Sequence, residues 1–251
     1  MRRRTITTTL TAAALVLLGV VVTFGDLDLS AATDWPAPPP SADAAPTTQE
    51  APDGSARELL ETLTVSDSAA APGYEASLFG WRNDTDRNGC DTRNDVLRRD
   101  LADATIKPGT RGCVVASGAL TSPYSGELVP FVAGDDGGDV DIDHVVAREN
   151  AWQSGASEWS DEELVRFGND PLNLLAVEAS LNRSHGSRAA DEWVPDTKAG
   201  ACSFTARQVA VKAAYDLTVT TSEHAAMAGV LESCPGGGEL PRAVGWPEPE
   251  G

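Results

Sequence analysis

Residues 141–147, DIDHVVA, form the most informative stretch of the chain, because they contain an adjacent Asp-His pair. The first residues of Val140–Ala147 alternate between apolar and polar, which predicts a β-strand. A carboxylate is a hard oxygen ligand for a divalent cation, and an imidazole can take a proton from water near neutral pH. Successive side chains of a strand point to opposite faces, so Asp143 and His144 need a strand end or a bulge to reach one substrate. Alone, the pair fits a structural role equally well.

Two further polar segments follow the Asp-His pair in a fixed order. Asn173 lies in NDPLNLLAV, 29 residues after His144, and Asn182 lies in LNRSHG, nine residues after Asn173. This ordered Asp-His, Asn, Asn array resembles the HNH, or ββα-metal, nuclease motif.

Longer phrases extend the resemblance over most of Leu78–Glu232. The chain is similar to the HNH family found at the C-terminus of GmrSD-type restriction endonucleases, and more closely to secreted bacterial relatives of that family. The phrases that carry this similarity are LFGWR, GCDTRNDVLRRDL, GCVVASGAL, PYSGE, DIDHVVA, AWQSGA, FGNDPLNLLAV, LNRSHG and ARQVAVKAAYDL.

The resemblance implies a site in which two antiparallel strands and a helix hold one divalent ion, Mg²⁺ first and Mn²⁺ or another ion as alternatives. Asp143 and Asn182 would be metal ligands, and His144 would be the general base that activates water. Asn173 would brace the loop between the strands. The substrate would be nucleic acid, DNA in preference to RNA, and cleavage would leave 5′-phosphate and 3′-hydroxyl ends.

Three neighbouring residues keep alternative roles. His185 stands where relatives more often carry lysine, so a phosphate contact, an extra metal ligand and an ordinary surface residue all remain open. Asp141 is either a carboxylate that orients the site from outside the metal's ligands or a plain acid at the strand edge. Arg93 is either a phosphate contact, since guanidinium fits phosphate bidentately, or a salt-bridged surface residue.

A second candidate metal site precedes the first predicted helix. The spacing from residue 84 to residue 95 fits an EF-hand-like calcium loop, with Asp in place of the usual Glu at its twelfth position. The residues concerned are Asp84, Asp86, Asn88, Gly89 and Asp95. The alternative is a polar turn that caps the helix through Asp91 or Thr92.

The two ends of the chain differ in composition from its middle. Arg2, Arg3 and Arg4 precede an apolar run at Leu10–Val22, which predicts a signal peptide or an uncleaved N-terminal anchor over residues 1–32. Residues 33–72 are rich in Pro and Ala and are predicted to form a disordered linker. Residues 73–234 form the HNH nuclease-like domain, and residues 235–251 a flexible tail. We therefore expect a secreted or extracellular protein, tethered if the anchor is retained, with no membrane domain beyond this segment.

All four cysteines fall within the predicted domain: Cys90, Cys113, Cys202 and Cys234. An even number behind an export segment predicts two disulfides, for which three connectivities exist. We favour the local pairs Cys90–Cys113 and Cys202–Cys234. A four-cysteine zinc site is disfavoured, because the chain has no Cys-x-x-Cys pair.

Hydrophobic periodicity predicts an α+β domain, with a ββα-metal core embedded in mainly helical, disulfide-bonded surroundings. Helices are expected at Thr92–Asp103, Ser160–Gly168, Arg183–Trp193, Thr205–Leu217 and Ser222–Glu232. Strands are expected at Gly112–Ala116, Glu127–Val132 and Val140–Ala147, with Asn173–Val177 as a strand or a tight turn. The protein is expected to be a monomer.

The net charge of −19 excludes a protein that holds nucleic acid by a broad basic surface, although not an enzyme that reaches phosphate through a bound metal. Two function classes follow. The first is an exported metal-dependent nuclease. The alternative is a non-catalytic, calcium-stabilised extracellular binding module that keeps the HNH-like fold.

Overall fold

The computed structural model describes residues 54–68, 70–134, 138–242, 245–247 and 249. The predicted signal peptide or anchor and the first part of the predicted linker lie outside these residues.

The described part mixes helices and strands. Its helices are α1 Ala56–Leu60, α2 Thr92–Asp100, α3 Arg148–Gln153, α4 Asp161–Gly168, α5 Ala179–His185, α6 Lys198–Ala214 and α7 Thr221–Glu232. Its strands are β1 Ala102–Ile106, β2 Val115–Thr121, β3 Leu128–Val132, β4 Val140–His144 and β5 Leu174–Glu178. Short 3₁₀ helices occur at Ala76–Phe79, Ala156–Glu158 and Pro235–Gly237.

The strands form two antiparallel sheets. One sheet has the order β1-β2-β3, and the other pairs β4 with β5 in a register that sets His144 opposite Leu174. The first strand, β1, was not predicted: Leu101 ends α2 in an extended conformation, and the chain turns into β1 where the sequence predicted more helix. Val115 and Leu120 of β2 and Phe131 of β3 are buried with α2 in one apolar cluster.

Helix starts follow their capping residues. Ser160 and Glu163 form a capping box at the start of α4, with both reciprocal hydrogen bonds present. Helix α7 is capped by Thr220 and not by Ser222, because Glu223 occupies the third helical position and closes a capping box with Thr220. Helix α6 begins at Lys198, seven residues before the predicted start, because Thr197 caps it.

The helix that carries LNRSHG lies earlier than predicted. Helix α5 begins at Ala179 and ends at His185, whereas the sequence predicted a helix over Arg183–Trp193. The chain leaves the helix at Gly186, where φ is +61°, a conformation that glycine adopts without steric cost. Asn182 therefore lies in the middle of α5 and not at the start of a helix.

The predicted linker and tail both contain ordered parts of the domain. Helix α1 opens with a Ser55–Glu58 capping box and buries Ala56 and Leu60 against α6 and α7. Burial of these two apolar side chains fixes α1 to the domain, so the C-terminal part of the predicted linker contains an ordered helix. In the predicted tail, Glu239 forms an isolated antiparallel β-bridge with Ser55. Trp246 of the same segment lies against the guanidinium of Arg99, with 5.3 Å between Cζ and the ring centroid.

Two disulfides are present, with the predicted pairing. Cys90–Cys113 ties the segment before α2 to the segment before β2, and Cys202–Cys234 ties α6 to the end of α7. They close loops of 23 and 32 residues, for which chain entropy gives about 3 kcal/mol of stabilisation each.

A buried ion pair joins α6 to α7. The Nζ atom of Lys212 lies 3.0 Å from Oε1 of Glu223 and donates to the carbonyl of Thr218 at 3.1 Å. Burial lowers the pKa of Lys212, and the carboxylate of Glu223 opposes that effect. The pair is the polar centre of an otherwise apolar helix contact.

Within the described residues, no helix is long and apolar enough to span a membrane.

Candidate active site

The β4–β5 pair and α5 together hold the residues that the motif singled out. Helix α5 packs against both strands, and β4 ends at His144. Because His144 is the last residue of the strand, the alternation of side chains no longer separates it from Asp143, and both line one pocket. The position of His144 at the strand end therefore allows both side chains of the Asp-His pair to reach one pocket.

His144 is buried, and its hydrogen bond fixes which ring nitrogen carries the proton. Only 7% of the residue is exposed, and Nε2 lies 2.9 Å from the carbonyl oxygen of Gly168. A carbonyl only accepts, so Nε2 donates and the lone pair of the neutral ring is on Nδ1. Burial, with the nearby charge of Arg148, lowers the pKa of His144 to about 3. His144 is therefore an unprotonated base throughout the neutral range.

Close packing holds the imidazole of His144 in place. The ring of Trp81 meets it edge-on, with centroids 5.1 Å apart. Gly168, whose carbonyl accepts the hydrogen bond from His144, lies directly against the backbone of Phe79. A Cβ at Gly168 would collide with the Phe79 carbonyl. The carbonyl acceptor can approach His144 only because this position is glycine.

Asn173 braces the chain just after His144. Its Oδ1 accepts from the backbone N–H of Val146 at 2.8 Å, its Nδ2 donates to the carbonyl of Val146 at 3.1 Å, and the residue is fully buried. From the opposite side, Arg99 donates to the carbonyls of Pro171 and Leu174, at 2.9 and 2.6 Å. Arg99 of α2 thereby holds the backbone on both sides of Asn173.

Asp143 is buried, and two side chains form hydrogen bonds to its carboxylate. Tyr124 donates its hydroxyl to Oδ2 at 2.6 Å, and Nδ1 of His185 lies 3.0 and 2.9 Å from Oδ1 and Oδ2. His185 is fully buried, so the interpretation of it as an ordinary surface residue is wrong. Its other nitrogen, Nε2, faces the carbonyl of Arg188 at 3.2 Å.

Asn182 reaches from α5 to the adjacent strand β4. Its Nδ2 donates to Oδ2 of Asp141 at 3.1 Å and to the carbonyl of Ile142 at 3.4 Å. Both partners only accept, so the amide nitrogen is fixed on that side and Oδ1 is the atom left for another ligand. Asp141 also accepts from Nη1 of Arg93 at 3.1 Å, and the Arg93 side chain is 18% exposed. The structure thus places Arg93 in a salt bridge and Asp141 as the neighbour of Asn182.

The pocket in front of these residues has a volume of about 360 Å³. Asp143, His144 and Asn182 line it together with Arg148 and Tyr74, and its surface is mostly polar. Arg148, the first residue of α3, also donates to the carbonyl of Ala76 at 3.1 Å. No three or more His, Cys, Asp or Glu side chains in the described part of the chain form a group that could hold a metal ion.

The Asp84–Asp95 loop brings its predicted residues together. The carboxylate of Asp84 accepts from the N–H of Gly89 at 3.0 Å, and Asn88 donates its Nδ2 to Asp95 at 3.1 Å. Burial and the adjoining carboxyl of Asp84 raise the pKa of Asp86, and burial raises that of Asp95 to about 6. Arg98 pairs with Asp95 at 2.5 Å.

The alternative prediction for this segment, a polar turn that caps the following helix, is confirmed at Asp91. The side chain of Asp91 accepts from the N–H of Asn94 and caps α2. The cap and the acidic loop before it use different residues, so the cap leaves the acidic loop free to act separately.

Sequence reasoning missed four contributors to the site: Tyr124, Trp81, Arg148 and Gly168. Tyr124 lies in PYSGE, a phrase of the family resemblance to which no role was assigned. Trp81 lies in LFGWR and Gly168 in FGNDPLNLLAV, so both fell within phrases of the family resemblance. Their contacts join residues far apart in the chain, and only the assembled fold reveals them.

An Asp-His pair at a strand end, an asparagine that braces the following turn and a second asparagine on the next helix define an HNH-like domain. The sequence model of the family described as "GmrSD restriction endonucleases, C-terminal domain" matches residues 91–230. The chain belongs to this family, and its domain is nuclease-like.

A relative in the fungus Arthroderma benhamiae is 35% identical over 210 residues, which cover 82% of this chain and 96% of that protein. It is named an uncharacterized secreted protein. Similarity of this kind is therefore not restricted to the bacterial relatives that the motifs resemble. No solved structure matches the chain.

Proposed function

We propose that this protein is an exported, metal-dependent HNH nuclease that hydrolyses phosphodiester bonds of DNA, with RNA as a second substrate. The observation that carries the proposal is the state of His144. Its Nε2–H is bound to a backbone carbonyl, and its unprotonated Nδ1 is left for proton abstraction beside Asp143 in a polar pocket.

In this mechanism, Nδ1 of His144 takes the proton from the water that attacks the phosphorus atom. The carbonyl of Gly168 keeps the imidazole from turning during that transfer, and Asn173 holds the backbone that follows His144. Arg148 brings a positive charge to the same pocket, where it would meet the phosphate oxygens. Asp141 orients the amide of Asn182 through a hydrogen bond, with Arg93 holding Asp141.

A carboxylate oxygen of Asp143 and Oδ1 of Asn182 would hold one divalent ion, Mg²⁺ first and Mn²⁺ as the alternative. When bound, the ion would stabilise negative charge on the scissile phosphate and on the leaving oxygen.

The donor set suits such an ion. Both ligand atoms are hard oxygens, and Mg²⁺ usually binds through one or two carboxylates while it keeps several waters and substrate phosphate oxygens. Asp143 has about four lone-pair positions and receives two protein donors, so it retains capacity for a ligand bond.

Export is supported by two observations. The fungal relative is named a secreted protein, and two disulfides hold the domain, as expected of a protein that folds in an oxidising compartment. We propose that the segment at residues 1–32 directs this export, as a cleaved signal or a retained anchor, and that the exported protein is a monomer.

The test is digestion of plasmid DNA and of a structured RNA by the oxidised protein across a panel of Mg²⁺, Mn²⁺, Ca²⁺ and Zn²⁺. We expect nicked and linear plasmid with Mg²⁺ or Mn²⁺, 5′-phosphate ends that a ligase can join, and no cleavage in EDTA. Intact plasmid and intact RNA under every metal would contradict the nuclease function.

A second candidate function is a calcium-stabilised binding module, and the acidic loop favours it. Asp84 and Asp86 adjoin each other, and Asp95 closes the same loop. A Ca²⁺ ion would offset the repulsion between these carboxylates and hold them with oxygen ligands.

Calcium should raise the melting temperature if the loop binds it. At a free Ca²⁺ concentration about 100 times the dissociation constant, binding would add about 2.7 kcal/mol of stability. Differential scanning fluorimetry with Ca²⁺ against equal Mg²⁺ would measure the shift, and Asp84→Asn with Asp86→Asn should remove it. A calcium effect without nuclease activity would favour the binding module, whereas no shift would exclude a calcium site.

A further inference from the structure

We propose that Tyr124 and His185 are positioning residues that lock the carboxylate of Asp143, so that one of its oxygens faces the pocket as a single metal ligand. This inference rests on the proposed nuclease function and deepens it. It assigns a role to Tyr124, which the motif does not include, and gives His185 a role outside the three alternatives that the sequence left open.

The two donors converge on one oxygen of Asp143. The Tyr124 hydroxyl lies 2.6 Å from Oδ2, and Nδ1 of His185 lies 2.9 Å from the same oxygen. The contact of His185 with Oδ1, at 3.0 Å, shares that single proton. Oδ2 is therefore committed to the protein, while Oδ1 keeps more unused lone-pair capacity.

Both ring nitrogens of His185 face oxygen atoms of the protein. Nδ1 faces the carboxylate of Asp143 and Nε2 faces the carbonyl of Arg188, and neither partner can donate. The Arg188 carbonyl follows directly after α5, where the chain turns at Gly186. The turn thus places the Arg188 carbonyl next to Nε2, while Nδ1 faces Asp143.

Two aromatic rings hold both donors in position. Trp193 and Phe204 each contact Tyr124, with centroids 5.6 and 5.5 Å away, and each contacts His185, at 4.9 and 5.2 Å. Rings packed on two sides have little rotational freedom, so the donor atoms stay aimed at one point.

The backbone of Tyr124 is fixed as firmly as its ring. Its carbonyl accepts from Thr197 at 2.6 Å, and α6 approaches so closely at Gly200 that a Cβ there would lie 2.2 Å from that carbonyl oxygen. A surface-facing turn would need none of these contacts. They indicate that the fold specifies where the hydroxyl lies.

Fixing the carboxylate bears on metal binding, because outer hydrogen-bond partners of a metal ligand set its orientation. Loss of such a partner typically costs 10- to 100-fold in metal affinity or activity. Tyr124→Phe removes one hydroxyl and keeps the ring, so we expect Mn²⁺ affinity to fall by about 10-fold or more.

The experiment titrates Mn²⁺ alone into the full oxidised protein and follows free Mn²⁺ by electron paramagnetic resonance. Tyr124→Phe is compared with wild type and with Tyr215→Phe, which removes another buried tyrosine hydroxyl that donates to an aspartate, Asp170. Affinity should fall in Tyr124→Phe and stay unchanged in Tyr215→Phe. His185→Gln provides a second variant and should also weaken binding, whether or not Tyr124→Phe folds.

The outcomes separate this inference from the proposed nuclease function. Tight Mn²⁺ binding that Tyr124→Phe weakens, in a protein that cleaves no nucleic acid, would support the inference and contradict the nuclease. Cleavage by wild type with equal Mn²⁺ affinity in wild type, Tyr124→Phe and His185→Gln would overturn the inference alone. An equal loss of affinity in Tyr215→Phe would also overturn it, because the loss would then reflect general destabilisation.

Discussion

Replacement of His144 by alanine should lower the rate of plasmid cleavage by about 10²- to 10⁴-fold, which is the usual contribution of a general base. The loss should appear in kcat, because the imidazole acts on the attacking water and not on DNA binding. Affinity for uncleaved DNA and for Mn²⁺ should stay near the wild-type values, because Asp143 and Asn182 remain.

His144 is buried, so the alanine variant also leaves a cavity beside Trp81 and loses the bond to Gly168. His144→Gln is the better test, because it fills most of that space and has no basic nitrogen. His224, which is half-buried on α7, provides a matched control, and His224→Ala should cleave as wild type does. Cleavage by His144→Gln at the wild-type rate would exclude His144 as the base.

Lys212→Met should destabilise the domain by about 3–5 kcal/mol, because it leaves the carboxylate of Glu223 buried without its counter-charge. A domain of this size is typically stable by only about 5–15 kcal/mol, so the variant would be close to unfolding at 37 °C. Urea denaturation followed by tryptophan fluorescence would measure the change.

The double variant Lys212→Met with Glu223→Gln separates the lost charge pair from lost packing. Glutamine can still close the capping box with Thr220, and no buried charge remains. We expect the double variant to recover at least half of the stability that Lys212→Met loses. If the double variant is as unstable as the single one, the unpaired carboxylate is not the cause.

Short-range signals predicted much of the site-bearing core. Alternation at the start of Val140–Ala147 and the apolar periodicity of Ser160–Gly168 each depend on residues close in sequence. The order of Asp143, His144, Asn173 and Asn182 identified the residues that the β4–β5 pair and α5 bring together.

The missed features depend on contacts between distant parts of the chain. For His185 the sequence left a surface position open as one of three alternatives, yet Trp193 and Phe204 pack against the ring and bury it. Tyr124 lies in the turn between β2 and β3, and its role depends on Asp143, which is 19 positions away on β4. Local periodicity carries no information about such pairs.

The pairing of Ser55 with Glu239, with Ala56 donating to the carbonyl of Gly238 at 3.0 Å, makes the domain begin and end at one place. A chain built this way can be inserted into a surface loop of another protein, because entry and exit need almost no separation. It can also be circularly permuted by a short linker across that junction. Beyond this junction Trp246 packs on Arg99, so an inserted domain must keep that contact on its exit side.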